Sequence, residues 1–115
     1  MTNVTRAVPA VSPHKNLGVN IAGAGATTLV AAVANAKYRV LGVSVITNAA
    51  NTVYFSSNTT AISATFPLGT NGGMVLPFNE HGWFETNFGE ALELNTTAAT
   101  TAGVQIHYIV LAKPE

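Results

Sequence analysis

Short segments of alternating apolar and polar residues, separated by turn residues, are the feature that most constrains the fold of this chain. The clearest segment runs from Lys37 to Thr47 and carries apolar side chains on both faces, with Arg39 and Val45 on one face and Tyr38 and Ser44 on the other. A side-chain period of two with turns between the segments is typical of β-strands. The pattern predicts eight or nine short strands and no long helix.

The length of 115 residues fits one domain with a single core. Short strands with Gly, Asn and Pro turns indicate a sandwich, a jelly roll or a barrel, and we predict an all-β, jelly-roll-like antiparallel β-sandwich over residues 16–115. Residues 48–51 (Asn-Ala-Ala-Asn) form a natural turn. We therefore predict a hairpin between the Lys37–Thr47 strand and a second strand, Thr52 to Ser56.

Residues 1–15 differ from the rest of the chain, because two prolines interrupt them and no alternation is visible. We predict an extended N-terminal arm, and a segment of this kind can be ordered by a neighbouring protein. We interpret it as an anchoring arm. Its candidate contact residues are Arg6, Val8, Pro9, Val11, Pro13 and Lys15.

Charged residues make up only 9% of the chain, whereas an ordinary soluble domain has about 25%. The formal net charge is +0, which favours association over a free, soluble monomer. Apolar residues on both faces of a strand lead to the same inference, since one face of a simple sandwich should meet water. We therefore predict that neighbouring subunits cover much of the surface. The candidate interface residues are Tyr38, Val40, Trp83, Phe84, His107 and Ile109.

The few charges are segregated along the chain. Residues 1–79 hold four bases and no acid, for a sum of +4, and residues 80–115 hold one base and five acids, for a sum of −4. Such asymmetry sets the orientation of subunits if the two halves stay apart in space. The alternative is that the fold interleaves the halves and removes the dipole.

The sequence offers little material for catalysis or cofactor binding. The three histidines have no metal-ligand spacing, and aspartate and cysteine are absent. Four glutamates between Glu80 and Glu93 are interpreted as residues of solvated edges rather than as a hydrolase pair. We expect no enzyme activity, no cofactor and no metal. With five basic residues and no long apolar run, we expect no nucleic-acid partner and no membrane span.

Over about residues 36–110 the chain resembles small β-rich virion proteins of tailed bacteriophages, in particular capsid decoration (cement) proteins. The segments that carry the resemblance are Val53 to Ser57, Ile62 to Leu68, Gly82-Trp83-Phe84-Glu85-Thr86, Gly89 to Leu94 and Val104 to Tyr108. The resemblance implies a jelly-roll-like fold, trimers on the capsid surface and no enzyme activity. It also implies synthesis in the host cytoplasm and contact of the arm with the major capsid protein or other virion proteins.

Two alternatives remain open from the sequence. One is a tail, neck or head-fibre component, because such proteins reuse the same fold. The other is a glycan-binding module for host attachment, in which Trp83 and neighbouring aromatic residues would stack on sugar rings. Trp83 and Phe84 follow Gly82, so that one ring can enter the core while the other contacts a neighbour.

Overall fold

A computed structural model describes residues 14–113 of the chain. Five of the six predicted arm residues, Arg6, Val8, Pro9, Val11 and Pro13, lie outside the described residues. The sixth, Lys15, lies in the first strand, where it pairs with Tyr108. The two described residues of the predicted arm, His14 and Lys15, thus belong to a strand.

The described residues form ten strands and no helix. In chain order the strands are β1 (His14–Ile21), β2 (Gly25–Val30), β3 (Ala36–Thr47), β4 (Asn51–Ser57), β5 (Thr60–Ala61), β6 (Phe66–Leu68), β7 (Gly73–Leu76), β8 (Phe84–Glu85), β9 (Leu92–Thr96) and β10 (Ala102–Ala112). None of the described residues belongs to a helix that could span a membrane.

The strands form two five-stranded antiparallel sheets. The first has the order β1-β10-β3-β7, and β8 also pairs with β3; the second has the order β2-β9-β4-β5, and β6 also pairs with β4. Strands β1 to β4 alternate one by one between the two sheets, β9 inserts between β2 and β4, and β10 inserts between β1 and β3, which is the wrapping of a jelly roll. The predicted all-β, jelly-roll-like sandwich is confirmed.

The core lies between the inner faces of the two sheets. Val45 and Ile106 of the first sheet and Phe55 and Leu94 of the second are at most 1% exposed. These side chains face one another across the sandwich because each strand alternates between a core-facing and an outward-facing residue. Burial of this apolar surface is the main driving force for the fold.

The predicted hairpin of β3 with β4 is wrong, because the two strands lie in different sheets. The turn between them is held by other loops: the Thr47 amide donates to Gly72 O and the Asn48 amide donates to Thr101 O. Turn residues specify a reversal of the chain but not the sheet that the returning strand joins. Here the apolar faces of the two strands pack on the same core, as Val45 and Val53 do, instead of pairing edge to edge.

The β3 strand is continuous as predicted, but its two faces exchange at a β-bulge. Val40 pairs with Tyr108 and Gly42 pairs with His107, so Leu41 is the extra residue on β3. Tyr38 and Val40 point into the core before the bulge, and Val43 and Val45 do so after it. A single alternation through the whole strand, as the sequence predicts, therefore fails at Leu41.

Candidate subunit-interface surfaces

The predicted interface residues are distributed over three environments. Tyr38 and Val40 are 3% and 0% exposed and belong to the core, so this chain's own second sheet covers their side chains. Phe84 is half-buried and packs on Phe55 with 4.9 Å between ring centroids. Trp83 is 41% exposed, which places its ring at the surface beside a ring that enters the core.

His107 and Ile109 lie on the outer face of the first sheet and are half-buried. The ring of His107 stacks on that of Phe78 with 5.4 Å between centroids, and its Nε2 lies 3.1 Å from Nδ1 of His14. The rings of His14, His107 and Phe78 thus form a cluster on the outer face. Within residues 14–113 no three histidine or acidic side chains come together in a group that could hold a metal ion.

Three large apolar side chains on the same outer face are exposed to solvent. Ile46 on β3 is 63% exposed, Val75 on β7 is 68% exposed, and Phe78 just beyond β7 is 59% exposed. They follow one another along the β3–β7 pair, since Ile46 pairs with Gly73 and Ser44 pairs with Val75. We call Ile46, Val75 and Phe78 the outer row. Sequence reasoning missed Ile46 and Val75 because it did not show which face of β3 is covered.

A shallow trough lies beside the outer row and crosses the middle of the first sheet. It consists of a depression of about 620 Å³ beside Gly18, Gly103 and Ile46 and an adjoining one of about 280 Å³ beside Gly42 and Phe78. Ser44 and Gln105 line both depressions, and among residues 14–113 no Lys, Arg or Glu lines either of them. The trough therefore offers a partner mainly apolar and neutral polar groups, and His107 is the one titratable side chain among its described lining residues.

A separate depression, of about 520 Å³, opens at the β5–β8 edge of the sandwich. It lies where β5 and β6 of the second sheet approach β7 and β8 of the first. We call it the Trp83 cleft, and its lining residues are Ala61, Ile62, Ser63, Ala64, Phe66, Leu76, Trp83 and Phe84. The lining is apolar apart from Ser63.

The two polar side-chain groups of the Trp83 cleft already have partners within the chain. The indole Nε1 of Trp83 donates to Pro77 O at 2.8 Å. The hydroxyl of Ser63 accepts a bond from the Phe55 amide at 2.8 Å and donates to Ala64 O at 2.9 Å. The other side chains that line the cleft are rings and aliphatic groups.

The charged residues of the first sheet form a local cluster that combines the two halves of the sequence. Glu85 on β8 accepts from Arg39 Nε at 2.9 Å and from the Nζ of Lys37, and that Nζ lies 4.7 Å from the ring centroid of Phe88. The hydrogen bond from Lys37, followed by the one from Arg39, lowers the pKa of Glu85 against the effect of burial. Lys37 and Arg39, from the basic part of the sequence, are thus paired with Glu85, from the acidic part. This supports the alternative in which the fold brings the two parts of the sequence together and removes the dipole.

Glu90 and Glu93 bind hydroxyl groups of β4. Glu90 accepts a bond from the Ser57 hydroxyl and Glu93 accepts one of 3.3 Å from the Ser56 hydroxyl. Asn87 also donates to Glu90, at 3.2 Å. Both carboxylates therefore help to fix the end of β4 beside β9.

No family model matches the chain, and no curated protein is significantly similar to it in sequence. Among solved structures, the chain is similar to the virus-like particle of extra small virus from the giant freshwater prawn Macrobrachium rosenbergii. The identity is 14%, the TM-score is 0.48, and the match covers 100% of this chain and 88% of that one. It is also similar to Bacillus endospore appendages, described as disulfide-linked pili, with 15% identity, a TM-score of 0.45 and coverage of 98% and 100%. The resemblance to bacteriophage proteins stays a prediction.

Proposed function

We propose that this protein is a non-enzymatic structural subunit that assembles with copies of itself and with a larger protein shell. The observation that carries the proposal is the outer row beside a trough whose described lining contains no Lys, Arg or Glu. Ile46, Val75 and Phe78 are each more than half exposed; Ile46 and Val75 lie on the paired strands β3 and β7, two register positions apart, and Phe78 follows just beyond β7. Adjacent exposed apolar side chains, unlike single ones, mark a surface that a partner covers.

Covering the outer row and the trough with a partner costs little free energy of desolvation. Burying one large apolar side chain contributes roughly 1.5–3 kcal/mol, so the outer row alone offers several kcal/mol to an interface. The described residues that line the trough beside it include no Lys, Arg or Glu, so a partner that covers it removes none of these charged groups from water. Such a face is suited to a permanent protein contact.

We further propose that the assembly is a virion and that the subunit is a capsid decoration protein of a tailed bacteriophage, bound as a homotrimer to the capsid surface. The resemblance of residues 36–110 to such proteins supports this assignment. A decoration protein strengthens a shell by burying surface across the boundaries of capsid proteins, and many repeated contacts act together. The partners would be the major capsid protein or other virion proteins; a tail, neck or head-fibre location is the alternative within the same class.

The exposure of Trp83 favours one candidate from another class, a glycan-binding module. Stacking on a sugar needs an aromatic face together with free hydrogen-bonding groups that fix the hydroxyls. In the Trp83 cleft the indole N–H and the Ser63 hydroxyl are already bonded within the chain. A glycan array decides between the two classes: specific binding that is lost in a folded Trp83→Ala variant would favour the glycan module.

The outer row is tested by introducing charge into it. Val75→Asp and Phe78→Asp should leave the fold intact, because both side chains are exposed, but should dissociate the oligomer in size-exclusion chromatography with light scattering. The matched control is Val33→Asp, since Val33 is 55% exposed and lies outside the row. If wild type is a monomer at high concentration, or if the row variants assemble as wild type does, the proposal fails.

A further inference from the structure

Two histidines that are distant in the sequence meet on the outer face of the first sheet. The antiparallel pairing of β1 with β10 places His14 opposite Ile109 and Asn16 opposite His107, so His14 and His107 are diagonal neighbours. Nδ1 of His14 lies 3.1 Å from Nε2 of His107, and the two rings are inclined by 56°. His14 is exposed and His107 is half-buried. We call these two residues the histidine pair.

The separation of the two nitrogens suits two ligands of one metal ion as well as it suits a hydrogen bond. An imidazole nitrogen binds Zn²⁺ at about 2.0–2.1 Å. Two such nitrogens 3.1 Å apart subtend about 98° at a shared ion, between the angles of octahedral and tetrahedral coordination. In a neutral pair both lone pairs become available once the donating ring moves its proton to its other nitrogen. The spacing of the paired strands therefore already fits a shared ion.

The surroundings of the histidine pair leave it open to a cation. The ring of Phe78 stacks on the ring of His107 with 5.4 Å between centroids and an interplanar angle of 30°, which supports the orientation of the imidazole. Among residues 14–113, the depression that His107 lines has no Lys, Arg or Glu in its lining. Lys15 shares the face of Leu17, which packs against the core, because alternate residues of a strand share a face. No described lysine or arginine lining this depression therefore repels an ion at the pair.

We propose that the histidine pair binds a divalent transition-metal ion of the Zn²⁺ class through Nδ1 of His14 and Nε2 of His107. Imidazole is a preferred ligand of Zn²⁺, Cu²⁺ and Ni²⁺, whereas Mg²⁺ and Ca²⁺ prefer oxygen ligands. Water completes the coordination around these two ligands, so binding is reversible. The ion ties β1, an edge strand of the first sheet, to β10. The site lies within one chain and is independent of the proposed function.

Calorimetric titration of the full-length protein, without a histidine tag, with ZnCl₂ tests the site. We expect one Zn²⁺ per chain and no comparable heat from MgCl₂. The affinity should fall as the pH is lowered, because protons compete for the same nitrogens. Zn²⁺ should also raise the midpoint of thermal unfolding, since it binds the folded chain. His14→Gln and His107→Gln should each weaken binding by more than the roughly tenfold that loss of a supporting residue around a metal site costs.

His81→Gln is the matched control, because the third histidine is 88% exposed and lies outside the pair. It should bind Zn²⁺ as wild type does. Absence of Zn²⁺ binding by wild type, or equal binding by wild type and both pair variants, would overturn the proposal, and so would loss of binding in His81→Gln. Each of these results leaves the oligomer, and with it the proposed function, untouched.

A measurement on wild type keeps the test decisive if a pair variant fails to fold by circular dichroism. Cu²⁺ is paramagnetic and broadens the amide NMR signals of residues near its site. Asn16 on β1 and Gly42 on β3 lie opposite His107 on its two sides, so their signals should broaden first. Broadening centred on His81 or on the second sheet would overturn the assignment of the ligands.

Discussion

Arg39 on β3 is bound to Glu85 on β8 by a 2.9 Å hydrogen bond from its Nε to Oε1. The two residues are also cross-strand partners, so the ion pair joins β8 to the sheet at a place where only two residues of β8 are in strand conformation. The pair therefore fixes the segment from which Trp83 projects.

Replacing Glu85 by Gln should reduce stability in a pH-dependent way. The folded-state pKa of Glu85 is lowered from its ordinary value of 4.5, first of all by the Lys37 hydrogen bond. Its stabilising contribution is therefore complete above that ordinary value and is lost as pH falls through the folded-state pKa. Because the side chain is 35% exposed, we expect a loss of no more than about 1 kcal/mol in urea unfolding at neutral pH.

The difference between wild type and Glu85→Gln should shrink between neutral pH and about pH 3, because acid progressively protonates the carboxylate in the wild type as well. Glu80→Gln is the control, since the Glu80 side chain is 80% exposed and lies 3.9 Å from His81. An equal difference between wild type and Glu85→Gln at both pH values would contradict the role assigned to the carboxylate.

Two glycines with positive φ should respond differently to alanine. Gly89, at φ 77°, has open space where a Cβ would stand, so Gly89→Ala should cost only the left-handed strain of about 1–2 kcal/mol. At Gly82, with φ 83°, a Cβ would lie 2.6 Å from Arg39 Cδ and closer still to Cγ. Gly82→Ala should therefore cost clearly more in thermal or urea unfolding. It should also displace Arg39 from Glu85 and weaken the dependence on pH, and equal costs at the two sites would refute this.

Asn51 should be among the most important polar residues of the fold. Its Oδ1 accepts from the amides of Thr97 and Ala98 at 3.0 and 3.1 Å, and its Nδ2 donates to Ala98 O and to the Thr100 hydroxyl. The residue is 5% exposed, so these groups would be left without partners in Asn51→Ala. We expect a loss of about 2–4 kcal/mol in the free energy of unfolding.

Asn48→Ala provides the comparison for Asn51. The Asn48 side chain accepts one bond, from the Thr101 amide at 3.1 Å, in an exposed setting where water can replace it. Its loss should cost less than about 1 kcal/mol. Similar costs for the two variants would mean that the 97–100 loop does not depend on the Asn51 side chain.

The bulge at Leu41 predicts that this residue can be truncated or deleted without a change in the register of β3. Leu41 is 1% exposed, so Leu41→Ala should lose about 2–5 kcal/mol but keep the same fold. Deleting Leu41 removes the bulge but leaves Val40 opposite Tyr108 and Gly42 opposite His107, so Tyr38 and Val43 still face the core in a strand of continuous alternation. We expect the deletion variant to be less stable but to give a native pattern by circular dichroism and amide NMR. A non-native spectrum would show that β3 requires the bulge.

Some features of the candidate surfaces could be predicted from the sequence and others could not, and each outcome has a physical reason. Gly82 before two aromatic rings indicates that one ring enters the core and the other points outward, and the structure agrees: Phe84 packs on Phe55 while Trp83 is exposed. The burial of Tyr38 and Val40 was not foreseen, because the faces of β3 exchange at Leu41. The sequence gives no sign of that exchange, since apolar residues stand on both sides of the strand.

The sequence by itself determined that the chain forms many short strands in one domain, because period-two alternation and turn residues act over a few neighbouring positions. Its low charge also predicts a surface that partners cover, and this stays a prediction. Only the tertiary structure decided that β3 and β4 join different sheets, that Arg39 and Lys37 meet Glu85, and that Ile46, Val75 and Phe78 form one exposed row. These relationships join residues far apart in the chain, and they are fixed by the packing of whole sheets rather than by local preference.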